Sequence, residues 1–329
     1  MTSVELTRRL IDIESISGHE QAVALFLRDH LQSQGANVEI EEAEPNRPNV
    51  FASWGRPDVV LSTHTDTVPP FIPSREDQLY VYGRGACDAK GIIAAQVEAA
   101  SRLRAEGISD FGLLYLVGEE RNSAGAAAAN RNPRGCRYLI NGEPTDNRLA
   151  LGTKGALRLE IEATGRAAHS AYPELGESAT EKLLEALNRL RTIVLPEDPV
   201  LGKTTCNIGI LQAGIAPNVI PDRARAELMY RLVEPGEQLF ASIREAVGNL
   251  AEVKKVLEIP PVQLHRMDGL ETTVVAFATD IPSLSAWGQP FLIGPGSIHV
   301  AHTAEERISK AELMQAAAIY VKMVKKLKE

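Results

Sequence analysis

The stretch Gly155–Gly165, GALRLEIEATG, alternates strictly between apolar and polar side chains. Leu157, Leu159 and Ile161 share one side, and charged residues occupy the other. Because successive side chains of a strand point to opposite faces, this pattern predicts a strand with one buried and one solvated face. The strand segments before this stretch are apolar throughout, which indicates burial on both faces. The stretch therefore marks a change from strands buried on both faces to strands with one solvated face.

The chain before this stretch alternates strand and helix patterns. Helical spacing runs from Val4 to Leu31 with a break at Ser15–Gly18, and is followed by NVFASW (49–54), DVVLST (58–63), GIIAAQVEAASRLRAEG (91–107), FGLLYLVG (111–118) and RYLIN (137–141). The third of these segments is a helix that Gly107 ends. Alternating strands and helices predict an α/β sheet covered on both faces, with the chemistry in loops at the strand ends.

The residues after this stretch have the pattern of a smaller domain in which helices pack on one sheet. The helix ATEKLLEALNRLRTI places Leu183, Leu184, Leu187 and Leu190 on one stripe. Strands near 205–212 and 223–232, a helix near 238–250 and a strand near 253–259 complete the order βαββαβ. The rest of the chain has the same apolar strand and helix patterns as the residues before Gly155, in TVVAFATD, PFLIGPGS and the helical segment 309–326.

The predicted fold class is therefore α/β. It consists of a doubly wound mixed sheet domain with an inserted βαββαβ (ferredoxin-like) domain. We place the first part of the large domain at 1–153, the inserted domain at 154–262 and the second part of the large domain at 263–329.

Charge and composition exclude several classes of protein. The chain has 329 residues and a net charge of -8, which argues against a nucleic-acid partner and against anionic membrane surfaces. No apolar run reaches the roughly 20 residues of a membrane span. Cys87, Cys136 and Cys206 show no paired spacing, so we expect reduced thiols and a cytoplasmic location.

Histidine and carboxylate side chains follow the apolar strands. They are His64, Asp66, Asp88, Glu119, Glu120, Glu143, His299 and His302. Taken singly, each has an ordinary explanation: Asp88 could cap the next helix, Asp66 could cap a turn, and a lone histidine is usually a surface residue. Converging carboxylates would repel one another unless cations lay between them. We therefore expect two divalent ions, and the thiolate-free ligand set suits Zn²⁺, with Co²⁺ or Mn²⁺ as alternatives.

Seven motifs cover nearly the whole chain. They are STHTDTVP, GRGACDAKG, GEE, NGEPT, GRAAHSAYP, APNVIPD and GPGSIHVAHTAEE. In this order they resemble the M20-type co-catalytic metallopeptidase family, which includes acetylornithine deacetylase, succinyl-diaminopimelate desuccinylase, glutamate carboxypeptidases and aminoacylases. The resemblance implies one metal on His64, Asp88 and Glu143 and a second on Asp88, Glu120 and a late histidine, with Asp88 bridging. The family pattern selects His302 as that histidine, with His299 as the alternative and Ala304 in place of the usual proline.

The resemblance also implies that Glu119 is the general base. A carboxylate that is free of metal is needed to take a proton from water and pass it to the leaving amine. We expect Glu119 and Glu120 to diverge because neighbouring residues of an extended chain point to opposite sides. Asp66 lies on the same side as His64 and fits an orienting partner for that imidazole.

The inserted domain is expected to supply the substrate side. The resemblance implies that His169 polarises the scissile carbonyl of the partner subunit's site, with Asn218 as a similar contact across a homodimer. Arg231 would clamp a substrate carboxylate, which a guanidinium fork suits. The backbone amides of Gly294 and Gly296 could bind the same carboxylate. These roles imply that the inserted domain serves for dimerisation and as a lid.

The expected activity is hydrolysis of a linear amide by a dinuclear metal enzyme. Within the resembled family, we favour deacylation of an N-acyl amino acid of the acetylornithine or acetyl-lysine type. The alternatives are a dipeptidase or carboxypeptidase with the same chemistry, and a non-catalytic metal-binding protein on the same scaffold.

Overall fold

The structure is a computed structural model that describes residues 1–329, and its chain divides into two compact units. Unit 1 comprises residues 1–151, 264–273 and 279–329, and unit 2 comprises residues 152–263 and 274–278. None of the helices has the combination of length and apolar character that crossing a bilayer requires.

The elements are numbered along the whole chain. Up to residue 153 they are α1 (Ser3–Ile11), α2 (Gln21–Ser33), β1 (Asn37–Glu44), β2 (Arg47–Ser53), β3 (Val59–His64), β4 (Arg75–Glu76), β5 (Tyr80–Tyr82), α3 (Lys90–Ala105), β6 (Phe111–Leu116), α4 (Ala124–Asn130), β7 (Tyr138–Asn141) and β8 (Leu149–Thr153). The following segment has β9 (Gly155–Thr164), β10 (Ala168–His169), α5 (Ala179–Leu190), β11 (Glu197–Asp198), β12 (Gly202–Lys203), β13 (Thr205–Ala213), β14 (Val219–Ile220), β15 (Arg223–Leu232), α6 (Glu237–Val247), β16 (Glu252–Ile259) and β17 (Val262–Gln263). The chain ends with β18 (Thr272–Val275), β19 (Gln289–Leu292), β20 (Arg307–Ser309) and α7 (Lys310–Lys328).

Unit 1 is built on a six-stranded mixed sheet of order β1-β2-β6-β3-β7-β19. Strands β6, β3, β7 and β19 run parallel, whereas β1 and β2 are antiparallel to their neighbours. Side chains of β3 pack alternately into the two faces: Leu61 joins a core with α1, α2, α3 and α7, and Val60 joins a core with α4 and Trp287. The predicted sheet covered on both faces is confirmed, and every residue of β3 is buried.

Unit 2 contains a four-stranded antiparallel sheet of order β13-β15-β9-β16. Its main elements follow one another as β9, α5, β13, β15, α6 and β16, which is the predicted βαββαβ order. Leu157, Leu159 and Ile161 are fully buried, whereas Arg158 and Glu162 are exposed, so the predicted alternation of β9 is confirmed. The apolar face of this sheet packs against α5 and α6.

The structure corrects two local predictions. Leu184 is not part of the buried stripe of α5, because it is 42% exposed while Leu183 is 1% exposed. The buried side of the helix is completed by Ala186, Leu187 and Leu190 instead. The strand predicted to extend to Gly118 ends at Leu116, so Glu119 and Glu120 lie in a turn.

Candidate metal centre and active site

Three neighbouring parallel strands of unit 1 deliver side chains to one edge of the sheet. His64 is the last residue of β3, the pair Glu119 and Glu120 follows β6, and Glu143 follows β7. His64 and Leu116 are paired in the β3–β6 ladder, so these two strands end at the same level. The carboxyl ends of parallel strands form a crevice at which α/β folds place their chemistry.

Asp88 joins two clusters of possible metal ligands. Its Oδ1 lies 2.9 Å from His64 Nε2, and its Oδ2 lies 3.3 Å from His302 Nε2. His302 Nε2 is also 2.8 Å from Glu120 Oε1. The ligand atoms of His64, Asp88 and Glu143 lie within 4.8 Å of one another, and so do those of Asp88, Glu120 and His302. The structure thus brings together all five side chains that the resemblance assigned to metal, with Asp88 shared.

Asp88 makes no capping interaction with the helix that follows it. Helix α3 has Ala89 at its N-cap and no side-chain hydrogen bond there. Both carboxylate oxygens of Asp88 are directed to the two histidines instead. The explanation of Asp88 as an ordinary helix cap is therefore wrong.

The imidazole of His64 is held on the side away from Asp88. Its Nδ1 lies 3.0 Å from the main-chain oxygen of Asp66 and 3.5 Å from Asp66 Oδ1. A histidine that donates from Nδ1 presents Nε2 with a free lone pair, which is the tautomer a metal requires. Asp66 therefore contacts His64 through its main-chain oxygen and, at the longer distance, through its carboxylate.

The carboxylate of Asp66 has a second task that the sequence did not reveal. It is fully buried, and it accepts hydrogen bonds from the amides of Gly118, Glu119 and Glu120 at 3.0, 3.1 and 3.2 Å. The Ser17 hydroxyl donates at 2.6 Å to Oδ2, the oxygen that also accepts the amide of Glu120. A single carboxylate thus shapes the turn that carries the two glutamates.

This turn explains how Glu119 and Glu120 come to have different neighbours. Alternation along an extended strand, our expectation from sequence, is wrong because the strand has already ended. Gly118 has φ +80°, and its carbonyl accepts the amides of Asn122 and Ser123. Glu120 bonds to His302, whereas Glu119 belongs to neither ligand cluster.

Burial and like charge strongly perturb the carboxyl groups of the site. Burial, together with the neighbouring Glu143, raises the pKa of Glu119 well above its usual range. Burial and the Asp88 carboxylate similarly raise the pKa of Glu143. Burial raises the pKa of Glu120 despite its hydrogen bond to His302. Asp88 differs: burial opposes its ionisation, but hydrogen bonds from His302 and His64 keep its pKa below the ordinary value.

The two histidines compensate part of this negative charge. Hydrogen bonds to Asp88 and Glu120 raise the pKa of His302 to about 10. Burial lowers the basicity of His64, but its hydrogen bonds to Asp66 and Asp88 outweigh burial and raise its pKa well above the usual range.

These residues fit a pair of divalent cations. Without a cation, the chain must neutralise its buried carboxylates by protonation and by charged imidazoles. Oxygen Oε1 of Glu143 is buried and has no hydrogen-bond partner, which is costly for a carboxylate and is remedied by a metal ion. Nitrogen and oxygen donors without thiolate suit Zn²⁺, Co²⁺ or Mn²⁺.

His302 and His299 have different surroundings. His302 adopts φ +63°, in the left-handed region that non-glycine residues seldom occupy, and lies against Asp88 and Glu120. Both histidines are exposed, but His299 belongs to neither ligand cluster. The geometry thus favours His302 over His299 as a ligand.

Three of the predicted substrate-side residues lie in unit 2. His169 is the second residue of β10 and is exposed, and the carbonyl of Asn218 accepts the amide of Ser170 at 3.0 Å. His169 and Asn218 are therefore neighbours on one surface. Arg231, on β15, is half-buried, and burial alone lowers its pKa, so no carboxylate of the chain compensates its charge.

Gly294 and Gly296 are required by close packing. A Cβ on Gly294 would lie 2.5 Å from the Glu143 carbonyl oxygen, and one on Gly296 would lie 2.6 Å from the Cβ of Cys87. The amide of Gly294 donates to the Thr145 hydroxyl at 3.0 Å. These two glycines therefore set the approach of their loop to two ligand-bearing segments, and carboxylate binding by their amides stays a prediction.

Comparison with known proteins identifies the class. A profile of Peptidase family M20/M25/M40 matches residues 60–326, and the chain belongs to this family. It is thus an M20-family hydrolase, and the resemblance seen in its motifs is confirmed.

The relatives cover most of the chain. A peptidase M20 domain-containing protein of Schizosaccharomyces pombe is 38% identical over 98% of this chain and 84% of its own length. A probable carboxypeptidase of Aspergillus clavatus is 38% identical over 96% of this chain and 80% of its own length. The crystal structure of a tripeptidase from Staphylococcus aureus superposes with a TM-score of 0.84 at 20% identity, over 99% of this chain and 97% of that one. This last likeness establishes the fold.

Proposed function

We propose that the protein hydrolyses the amide bond of an N-acyl amino acid, of the acetylornithine or acetyl-lysine type, at a dinuclear metal centre. The observation that carries the dinuclear centre is Asp88, whose two oxygens face two histidine–carboxylate clusters, and the N-acyl substrate rests on the resemblance of the motifs. Such a shared carboxylate is what a pair of closely spaced ions needs.

The roles of the ligands follow from their contacts. His64, Asp88 and Glu143 would hold one ion, and Asp88, Glu120 and His302 the other. We propose Zn²⁺ as the ion, with Co²⁺ or Mn²⁺ able to replace it. When bound, two such ions acidify water and polarise a carbonyl oxygen.

Glu119 is the general base in this proposal. It stands next to a ligand but outside both ligand clusters, so its carboxylate is available for proton transfer. A carboxylate in this position can take a proton from water and then give it to the leaving amine. Asp66 fixes the amide of Glu119 at 3.1 Å and so holds the base in place.

The substrate carboxylate is assigned to Arg231. The uncompensated, half-buried charge of this residue suits a ligand anion. We further propose that His169 and Asn218 act across a homodimer, with His169 donating a hydrogen bond to the developing oxyanion. Loss of one such donor typically costs ~10²–10³ in turnover.

The uncharged edge of unit 2 supports a homodimer. The sequence of edge strand β13, TCNIGILQA, has no charged residue, and Ile210 and Leu211 are 41% and 53% exposed. Natural sheets usually protect such an edge with charge, or cover it. We propose that unit 2 serves for dimerisation and as a lid, and the three free thiols support a cytoplasmic location.

A dipeptidase or carboxypeptidase activity is the second candidate. The probable carboxypeptidase of Aspergillus clavatus, 38% identical to this chain, favours it. Both candidates use the same metal centre and base, and they differ in what lies on the acyl side of the scissile bond.

A substrate screen separates the two candidates. The purified protein is loaded with Zn²⁺ or Co²⁺ and assayed for amine release from N-acetylornithine, N-acetyl-lysine, N-succinyl amino acids, dipeptides and tripeptides. We expect the highest kcat/KM on an N-acetyl substrate, and Glu119→Gln is the matched inactive control. Preference for peptides would transfer the assignment to the second candidate. No release from any substrate by fully loaded protein would leave a non-catalytic metal-binding protein.

A further inference from the structure

A second buried carboxylate, Glu306, lies behind the loop that presents Asp88. It is 1% exposed, and its Oε1 accepts hydrogen bonds from the amides of Gly85, Cys87 and Asp88 at 2.9, 3.3 and 3.3 Å. One of these donors is the amide of the shared metal ligand itself. These amides precede α3 and need a partner other than the helix.

The same carboxylate is paired with a buried arginine. Glu306 Oε2 accepts from Arg84 at 2.6 Å, and Arg84 is 3% exposed. The guanidinium also donates to the carbonyl of Thr303 at 3.3 Å and to that of Pro70 at 3.3 Å. Thr303 directly follows His302. The ion pair therefore contacts the residues beside one ligand and the backbone of another.

A role in overall stability alone explains this arrangement poorly. Replacing a buried ion pair with apolar groups is often neutral or stabilising, so such a pair is weak evidence for stability. Unit 1 has a comparable pair in Glu20 and Arg47, also buried, whose members make no hydrogen bond to a ligand residue. What distinguishes Glu306 is that its hydrogen bonds converge on the Asp88 loop.

We propose that Glu306 is a positioning residue for the dinuclear centre. It fixes the backbone at Asp88 so that Oδ1 and Oδ2 face the two clusters, and through Arg84 it fixes the loop after His302. The inference rests on the proposed metal centre, but it concerns residues outside the ligand set.

Metal binding by the chelated protein tests this role. Wild type, Glu306→Gln and Glu20→Gln are stripped of metal, titrated with Co²⁺ and followed by visible absorption, with bound metal counted by mass spectrometry. Thermal unfolding of each stripped protein is measured in parallel. Glutamine keeps the size of the side chain but places an NH₂ group where only an acceptor fits, opposite amides or Arg84.

We expect Glu306→Gln to weaken Co²⁺ binding by ~10–100-fold, as for other residues that orient ligands, and to alter the absorption bands. Glu20→Gln should lower thermal stability but bind Co²⁺ with wild-type affinity and an unchanged spectrum. Equal Co²⁺ affinity and spectra in Glu306→Gln and wild type would overturn the positioning role. Wild type that binds no pair of ions would overturn the proposed metal centre as well, so the two failures are distinguishable.

A second variant serves if Glu306→Gln does not fold. Glu306→Asp keeps the charge beside Arg84 but withdraws the carboxylate from the amides by one methylene. We expect it to weaken Co²⁺ binding while its stripped form unfolds close to the wild-type temperature. Wild-type Co²⁺ binding by Glu306→Asp would likewise count against the proposal.

Discussion

Glu119 and Glu120 share a turn and an anchor, yet they face different partners. Glu120 bonds to His302, and Glu119 belongs to neither ligand cluster. We expect Glu119→Gln to keep both metal equivalents while kcat falls by ~10²–10⁴, the usual contribution of a general base. Metal analysis and steady-state kinetics on the same preparation measure both quantities. Glu120→Gln is the matched comparison and should lose metal; loss of one equivalent from Glu119→Gln would make Glu119 a ligand.

The late histidine is tested by a second pair of variants. Both histidines are exposed, but His302 Nε2 contacts Glu120 and Asp88, whereas His299 belongs to neither ligand cluster. We therefore expect His302→Ala to lower the metal content and His299→Ala to leave it unchanged, as counted by elemental analysis after dialysis. The opposite result would exchange the two assignments.

The pH dependence of metal binding follows from His302. Contacts with Asp88 and Glu120 raise its pKa from 6.5 to about 10. In the metal-free protein, these contacts stabilise the fold fully at a pH below 6.5, the ordinary pKa that His302 has in the unfolded chain. This stabilisation is lost as the pH rises through about 10. Because a metal needs the neutral imidazole, we expect proton release on binding at pH 7 and rising affinity at higher pH.

Calorimetric titration in two buffers with different ionisation enthalpies counts these protons. His302→Ala should release fewer protons than wild type, and His299→Ala the same number. An unchanged proton count in His302→Ala would show that this imidazole is already neutral at pH 7.

Helix α5 allows a prediction from two adjacent leucines. Leu183 is 1% exposed against the sheet of unit 2, and Leu184 is 42% exposed. We expect Leu183→Ala to lower the free energy of unfolding by ~2–5 kcal/mol, because it leaves a cavity. Leu184→Ala should change it by under ~0.5 kcal/mol. Urea denaturation followed by circular dichroism compares the two variants. An equal loss of free energy of unfolding in both would contradict the burial of Leu183 and the exposure of Leu184.

The elements differ in how well the sequence predicts them. Strands β3 and β9 have patterns that their burial imposes, one apolar throughout and the other alternating. Strand β1, NVEIEEAE, has no buried residue and only a short apolar alternation at Val38 and Ile40, and the sequence patterns above do not predict it. The Leu184 error has a different origin, since an apolar residue beside the buried stripe of a helix can still be exposed.

The sequence predicts those residues of the site that lie in short motifs, and it does not predict those whose role depends on the folded backbone. The five ligand positions stand in short motifs, and the structure brings them together. The roles of Asp66 and Glu306 as amide acceptors could not be predicted, because they depend on turns that place distant backbone groups around one carboxylate. Only the folded chain contains that information.

One edge strand of each unit's main sheet differs from the other in charge. Edge strand β1 of unit 1 has Glu39, Glu41, Glu42 and Glu44, which discourage pairing with another chain. Edge strand β13 of unit 2 has no charge. Association between copies is therefore expected through unit 2.

Mixed subunits test whether the proposed homodimer shares its active sites. We expect Glu119→Gln and His169→Ala homodimers each to be nearly inactive. Mixing them should restore partial activity, because one site of each mixed dimer would combine an intact base with an intact His169. Native mass spectrometry verifies the mixed species. Verified mixed dimers without recovery would remove His169 from the partner's site.

The buried anchors behind the ligands have a consequence for handling and for evolution. The Asp66 and Glu306 carboxylates hold their loops through protein hydrogen bonds that need no ion. Because these bonds join protein groups only, we expect the binding geometry to persist when cations are removed, unlike that of small domains which fold around their zinc. We expect protein stripped of metal to bind a different divalent ion within the time of mixing, without passing through an unfolded state. Related proteins can accordingly use whichever divalent ion is available without a change in the residues that hold these loops.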